Sequence, residues 1–151
     1  MMKTAKQTLI IIIALLLSIK CYAQFGEFST PEGFKWGMTQ NEVLRLNFGQ
    51  PIIQNNDEIS YYDAKTTNSL IYKFSEGKLN QITKKYGYQS EYDMNIYFDI
   101  YKKQFINRYG INYTEIPDKN TFLWVYKSTR ILLFKSTTNN EPKIFINYKQ
   151  S

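Results

Sequence analysis

The chain has 151 residues, of which 19 are lysine or arginine and 13 are aspartate or glutamate, so its formal net charge is +6 at pH 7. It contains no histidine and one cysteine, Cys21. These counts exclude Ser-His-Asp and Cys-His catalysis, an intrachain disulfide and any metal site that needs imidazole ligands.

The first 23 residues have the pattern of a secretory signal peptide. Residues 1–6 carry two lysines and no acid, and residues 9–19 are apolar except for one serine. Small residues then stand at −3 and −1 of a cut after Ala23. We therefore expect export to the periplasm or the medium and a single folded domain at residues 24–151. Two alternatives are a retained anchor and a lipoprotein modified at Cys21.

Loss of the leader makes the charge balance mild. It removes three lysines and no acid, which lowers the net charge from +6 to +3. A balance this close to neutral is not typical of a nucleic-acid-binding domain. Without cysteine and histidine, the remaining chain is expected to carry no cofactor, no metal and no enzymatic activity.

The most strongly specified local structure is a short helix near the start of the domain. Thr39 and Glu42 have the spacing of a capping box, in which each side chain accepts a hydrogen bond from the other residue's backbone. Gly49 and Pro51 follow where the helix must end. The pattern predicts a helix from Thr39 to Phe48.

The same stretch carries a family resemblance. The run Trp36-Gly37-Met38-Thr39, then Val43, then Gly49-Gln50-Pro51 resembles the signature of the SmpA/OmlA (BamE) lipoproteins. A short helix followed by a sheet is also similar to each repeat of the β-lactamase inhibitor protein. The leader that ends in Ala-Gln resembles those of exported Bacteroidetes proteins. The resemblance implies a helix that packs on a sheet and a role in assembly of the cell envelope.

A hairpin is predicted after this helix. Every second residue is apolar at Leu70, Tyr72 and Phe74, as in a half-buried strand. A tight turn at residues 75–78 leads into a returning strand. Because Leu79 and Ile82 are three residues apart, we expect a β-bulge at Asn80 or Gln81 that brings both to one face.

A second, longer helix is predicted between Ser90, with Asp93 as its capping partner, and Gly110. Its apolar stripe repeats at three- and four-residue steps and comprises Met94, Tyr97, Phe98, Tyr101, Phe105 and Tyr109. Lys102 is expected on the opposite, polar side beside Asp99.

The second half then repeats the order of the first. Residues 111–116 are extended, and alternating strands are predicted around Phe122, Trp124 and Tyr126 and around Ile144, Ile146 and Tyr148. The sequence therefore predicts an α+β fold of two tandem helix-plus-antiparallel-hairpin units, at about residues 34–88 and 89–151. These units would form an antiparallel sheet with the helices packed on one face.

Few residues are candidates for chemistry. Residues 75–78 match Ser-x-x-Lys, but the glycine within the motif is typical of a hairpin turn. The paired acids Asp57 and Glu58, and Glu91 and Asp93, are typical of a solvated loop and a first helical turn. A hydrolase that uses carboxylates alone stays open as an alternative.

Aromatic residues make up 17% of the chain, and 13 of them are tyrosine. Tyrosine is amphipathic and loses little entropy on binding, so it is common in binding surfaces. We expect an exported, non-enzymatic module that binds a protein or an envelope component through an aromatic sheet face, with no nucleic-acid partner and no membrane span. An accessory protein of envelope assembly is the alternative. The candidate contact residues are Tyr61, Tyr62, Tyr86, Tyr88 and Tyr113.

Overall fold

The structure is a computed structural model, which describes residues 33–47, 49–117 and 120–151. The predictions for the leader, including signal cleavage and lipidation of Cys21, lie outside the described residues.

Within the described residues, a short helix and four strands are followed by a long helix and four more strands. In chain order these elements are α1 (Gln40–Leu46), β1 (Ile53–Gln54), β2 (Glu58–Asp63), β3 (Asn68–Ser75), β4 (Lys78–Gly87), α2 (Glu91–Tyr109), β5 (Thr114–Ile116), β6 (Thr121–Tyr126), β7 (Thr129–Thr138) and β8 (Glu141–Gln150).

All eight strands form one antiparallel sheet in the order β1-β2-β3-β4-β8-β7-β6-β5. Within each half, sequential strands are neighbours, and β4 pairs with β8 at the centre. The fold is therefore α+β, with the longest strands in the middle and the shortest at the two edges. Short edge strands leave few unpaired backbone groups for aggregation.

The prediction of two tandem helix-plus-hairpin units is wrong. The described residues form one continuous eight-stranded sheet, and each half supplies four strands rather than a hairpin. The helices are also unequal, with seven residues in α1 and 19 in α2. Periodicity missed the difference because it shows which residues alternate but not which strands pair, and the β4–β8 pairing is what joins the two halves.

The capping box that starts α1 is confirmed. The Thr39 amide donates to Glu42 Oε2 at 2.8 Å, and the Glu42 amide donates to Thr39 Oγ1 at 3.4 Å. The helix ends two residues before the predicted Phe48. Asn47 has an extended backbone, and its Nδ2 donates to the Val43 carbonyl at 2.8 Å, which satisfies an acceptor of the last turn.

The predicted bulge is confirmed at Asn80. Lys73 pairs with Gln81, whereas the next residue, Phe74, pairs with Leu79, so Asn80 has no partner in β3. The extra residue places Leu79 and Ile82 on the same face, and both are fully buried.

Helix α2 begins and ends where the sequence predicts. Ser90 Oγ accepts from the Asp93 amide at 3.1 Å, and Gly110 follows the last turn with φ at +90°, which favours glycine. Met94, Phe98 and Phe105 of the apolar stripe are buried.

Two residues of α2 lie elsewhere than predicted. Tyr97 is 48% exposed rather than buried with the stripe. Lys102 is half-buried, and its Nζ lies 3.9 Å from the centre of the Phe122 ring, where a cation is attracted to the aromatic face. The prediction that Lys102 faces solvent beside Asp99 is wrong because Phe122 of β6 approaches this side of the helix.

We predict that Phe105→Ala lowers the free energy of unfolding by about 3–5 kcal/mol, because it removes a buried ring and leaves a cavity. Phe105 packs edge-on against Trp124 at 5.5 Å and is only 6% exposed. Its neighbour Gln104 is exposed, so Gln104→Ala should change stability by less than about 0.5 kcal/mol. Urea denaturation measures both, and equal effects would show that α2 does not pack as described.

The α1 cap predicts a pH dependence. The hydrogen bond from the Thr39 amide lowers the pKa of Glu42 below 4.5, so the ionised form stabilises the fold above that pH. This stabilisation is lost as the pH falls through the folded-state pKa. We expect Glu42→Gln to be less stable than the parent at pH 7 and to approach the parent's stability at a lower pH, below the ordinary glutamate pKa of 4.5. A difference in the urea midpoint that persists at the lower pH would contradict the cap's charge dependence.

Candidate binding surface

The strand pairing assigns alternate side chains to two faces of the sheet. Tyr72 of β3 lies opposite Ile82 of β4, which lies opposite Tyr148 of β8. The same row continues through Ile131 to Trp124, so all five side chains lie on one face, which we call the helix face. The residues between them in each strand lie on the other side, which we call the open face.

Both helices and the segment before α1 pack on the helix face. Phe98 and Phe105 of α2 contact Phe122 and Trp124, with ring centres 5.8 and 5.5 Å apart. Asn47, just after α1, accepts a hydrogen bond from the Tyr72 hydroxyl at 2.8 Å. Phe34 packs on Tyr72 as well, with ring centres 4.9 Å apart. Within the described ranges, therefore, no helix covers the open face.

The open face has an apolar band across its middle. Its half-buried members are Leu123, Leu132, Phe134 and Phe145. The rings of Phe134 and Phe145 stack at 4.8 Å and are nearly parallel, at 5°. Val125 extends the band and is 64% exposed, whereas Ile71 and Tyr62 lie apart from it on β3 and β2. Contiguous exposed apolar surface of this kind marks interaction sites in soluble proteins.

Positive charge lies beside this band. Five basic residues occupy open-face positions, namely Lys73, Lys85, Arg130, Lys143 and Lys149, against the acids Glu58 and Glu141. Lys143 forms an ion pair with Glu141, and Lys73 lies opposite Glu58.

Arg130 and Lys149 are the least compensated of these cations. They are direct cross-strand neighbours and are both exposed. Neither forms an ion pair with another residue in the described part of the chain. Like charges directly opposite one another destabilise a sheet.

The five candidate tyrosines do not form one surface. Only Tyr62 lies on the open face. Tyr61 and Tyr86 lie on the helix face, where Tyr61 is edge-on to Tyr72 and Tyr86 stacks on Tyr101 at 5.4 Å. Tyr113 packs between Phe122 and Trp124, and Tyr88 contacts Tyr97.

The electrostatics of two of these tyrosines fit a packing role. Burial raises the pKa of Tyr61 and, further, the pKa of Tyr88, where the neighbouring Tyr101 adds to the effect. Both phenols therefore stay neutral at physiological pH.

The open-face residues were missed because the strand register was not predictable. Phe134 and Phe145 are 11 positions apart in the sequence, and Arg130 and Lys149 are 19 apart. Only the β7–β8 pairing brings each pair together. The signal that could have found them is the turn at Asn139 and Asn140, both with positive φ, from which the β7–β8 pairs can be counted outward.

The acidic residues serve local structure. Asp93 Oδ2 accepts from the Ser90 hydroxyl at 2.7 Å, and the Asp57 amide donates to Asn55 Oδ1 in a turn. Among residues 33–47, 49–117 and 120–151, no three acidic side chains come together as metal ligands would. None of the helices in these ranges is long and apolar enough to span a bilayer.

No protein-family model matches the chain, and no curated protein matches it. The crystal structure of a DUF4309 family protein, YjgB, from Bacillus subtilis is similar over 84% of this chain and 85% of that chain, with 12% sequence identity and a TM-score of 0.44.

Proposed function

We propose that the protein is a non-enzymatic binding module whose open face binds a protein partner with an acidic and apolar surface. One observation carries the proposal. Neither α1 nor α2 covers the open face, where an apolar band lies beside uncompensated cations. The predicted leader would place this partner in the cell envelope or outside the cell.

The apolar band supplies the centre of the proposed interface. Interface cores are depleted in charge and enriched in aromatic residues. The stacked pair Phe134 and Phe145, with Leu132 beside them, fits that description. These side chains stand on the central strands of a rigid sheet, so binding would require little ordering of the protein.

The cations orient the partner on the open face and disfavour the binding of a second copy of the chain. Arg130 and Lys149 repel one another across the strands, and an acidic group placed over both would relieve that repulsion. Two open faces brought together would instead add like charges to the interface, which is unfavourable. The charge pattern therefore favours an acidic partner over self-association.

The like-charge pair leads to a prediction about stability. Arg130→Glu replaces a repulsive cross-strand pair with an attractive one, so we expect it to raise the free energy of unfolding by about 0.2–1 kcal/mol. Lys103→Glu makes the same charge change at an exposed position of α2 and should change stability by less than about 0.5 kcal/mol. Chemical denaturation at low salt measures both variants. If Arg130→Glu instead lowers the free energy of unfolding, Arg130 and Lys149 do not repel each other in the parent protein as described.

The same variants test the function. We expect the protein to capture a partner from envelope extract, and the purified partner to bind with an affinity that decreases as salt increases. Arg130→Glu should weaken that binding at least about tenfold, the equivalent of roughly 1.4 kcal/mol. If Arg130→Glu is more stable than the parent but binds less tightly, the loss of binding comes from the changed surface and not from unfolding.

Lys103→Glu is the matched control and should bind as the parent does. If it weakens binding as much as Arg130→Glu, the effect comes from net charge and not from the open face. If only Lys103→Glu weakens binding, α2 is the contact surface and the proposal is wrong.

A further inference from the structure

A cleft of about 560 Å³ lies where the β2–β3 turn meets the start of α2. Its size is in the range of sites for small molecules. Three segments line it, and the side chains that matter for its chemistry are Lys65, Thr67, Tyr88, Gln89, Asp93 and Tyr97.

One wall of this cleft is fixed by close backbone contact. A Cβ at Gly87 would lie 1.9 Å from Thr67 Oγ1, so a residue larger than glycine fits at this position only if the turn moves. The Gly87 amide donates to Asn68 Oδ1 at 3.3 Å. Thr67 itself has φ at +55°, a conformation that threonine rarely adopts. The turn is therefore held against the end of β4, and the cleft is preformed.

The cleft contains an aromatic platform. The rings of Tyr88 and Tyr97 lie 5.3 Å apart and are tilted by 30°. Tyr88 is half-buried, whereas Tyr97 is 48% exposed although it belongs to the otherwise buried stripe of α2. Tyr97 therefore presents exposed ring surface at the cleft, and the half-buried Tyr88 ring packs against it.

Polar groups with unused hydrogen-bonding capacity surround this platform. The Gln89 amide, the Lys65 ammonium and the Thr67 hydroxyl make no hydrogen bond to another described residue. Asp93 Oδ2 is used by Ser90, which leaves the second carboxylate oxygen. These groups line the same cleft as the two aromatic rings and supply both donors and acceptors.

We propose that this cleft binds a neutral sugar residue of an oligosaccharide. One face of a pyranose ring presents C–H groups that pack on the electron-rich face of a tyrosine, while its hydroxyls need several donors and acceptors at the ring edge. Lys65 and Asp93 offset each other's charge, so the site does not favour an anion such as a phosphate. This inference is independent of the protein-binding role proposed for the open face.

The test is titration of the purified protein with four neutral hexasaccharides, namely maltohexaose, cellohexaose, xylohexaose and chitohexaose, by calorimetry. At least one should bind with a Kd below about 1 mM. Tyr97→Ala should raise that Kd at least about tenfold, because it removes half of the aromatic platform. Gln89→Ala, at an exposed position, should also weaken binding and is not expected to disturb folding.

Tyr92→Ala is the matched control, since Tyr92 is on the same helix, is 74% exposed and does not line the cleft. It should bind as the parent does. Failure of all four sugars to bind, or equal loss of binding in Tyr92→Ala and Tyr97→Ala, overturns the proposal. Arg130→Glu leaves the cleft unchanged, so sugar binding by that variant separates this site from the open face.

Discussion

The pairing of β4 with β8 determines where every other element of the protein lies. It runs through seven residue pairs, from Gln81 opposite Lys149 to Gly87 opposite Lys143. Without it, the first half would be a four-stranded meander with the short helix α1, and the second half would be a four-stranded meander with the long helix α2. With it, Ile82 and Tyr148 become adjacent and the two halves share one buried core. Contacts this far apart in sequence are slow to form and are stabilised only when the sheet is complete.

The same pairing creates the open face as a single surface. Lys73 comes from the first half, whereas Lys149 and Arg130 come from the second, and all three lie in one cross-strand row. Helix α2 packs on the far side of β7 and β8 and keeps their open-face side chains in place. The helix thus supports the sheet from its other face, and in the proposed function the backed sheet is the surface that binds the partner.

Local features were predictable from the sequence, and features that depend on strand pairing were not. The Thr39 and Glu42 cap, the Ser90 cap and the bulge at Asn80 each depend on a few neighbouring residues, and all three were predicted. The tandem hairpin units were wrong because an alternating pattern does not show that β4 pairs with β8 and joins both halves in one sheet. The face of each tyrosine depends on register, and a shift of one residue reverses it.

Lysine reactivity tests the central claim most directly, namely that the open face is the contact surface and α2 is its support. The protein can be acetylated in buffer and in envelope extract, and each lysine quantified by mass spectrometry. The account predicts that Lys73 and Lys149 react more slowly in the extract, while Lys103, exposed on α2, reacts equally in both. Protection of Lys103 without protection of Lys149 would contradict it and would place the partner on the helix.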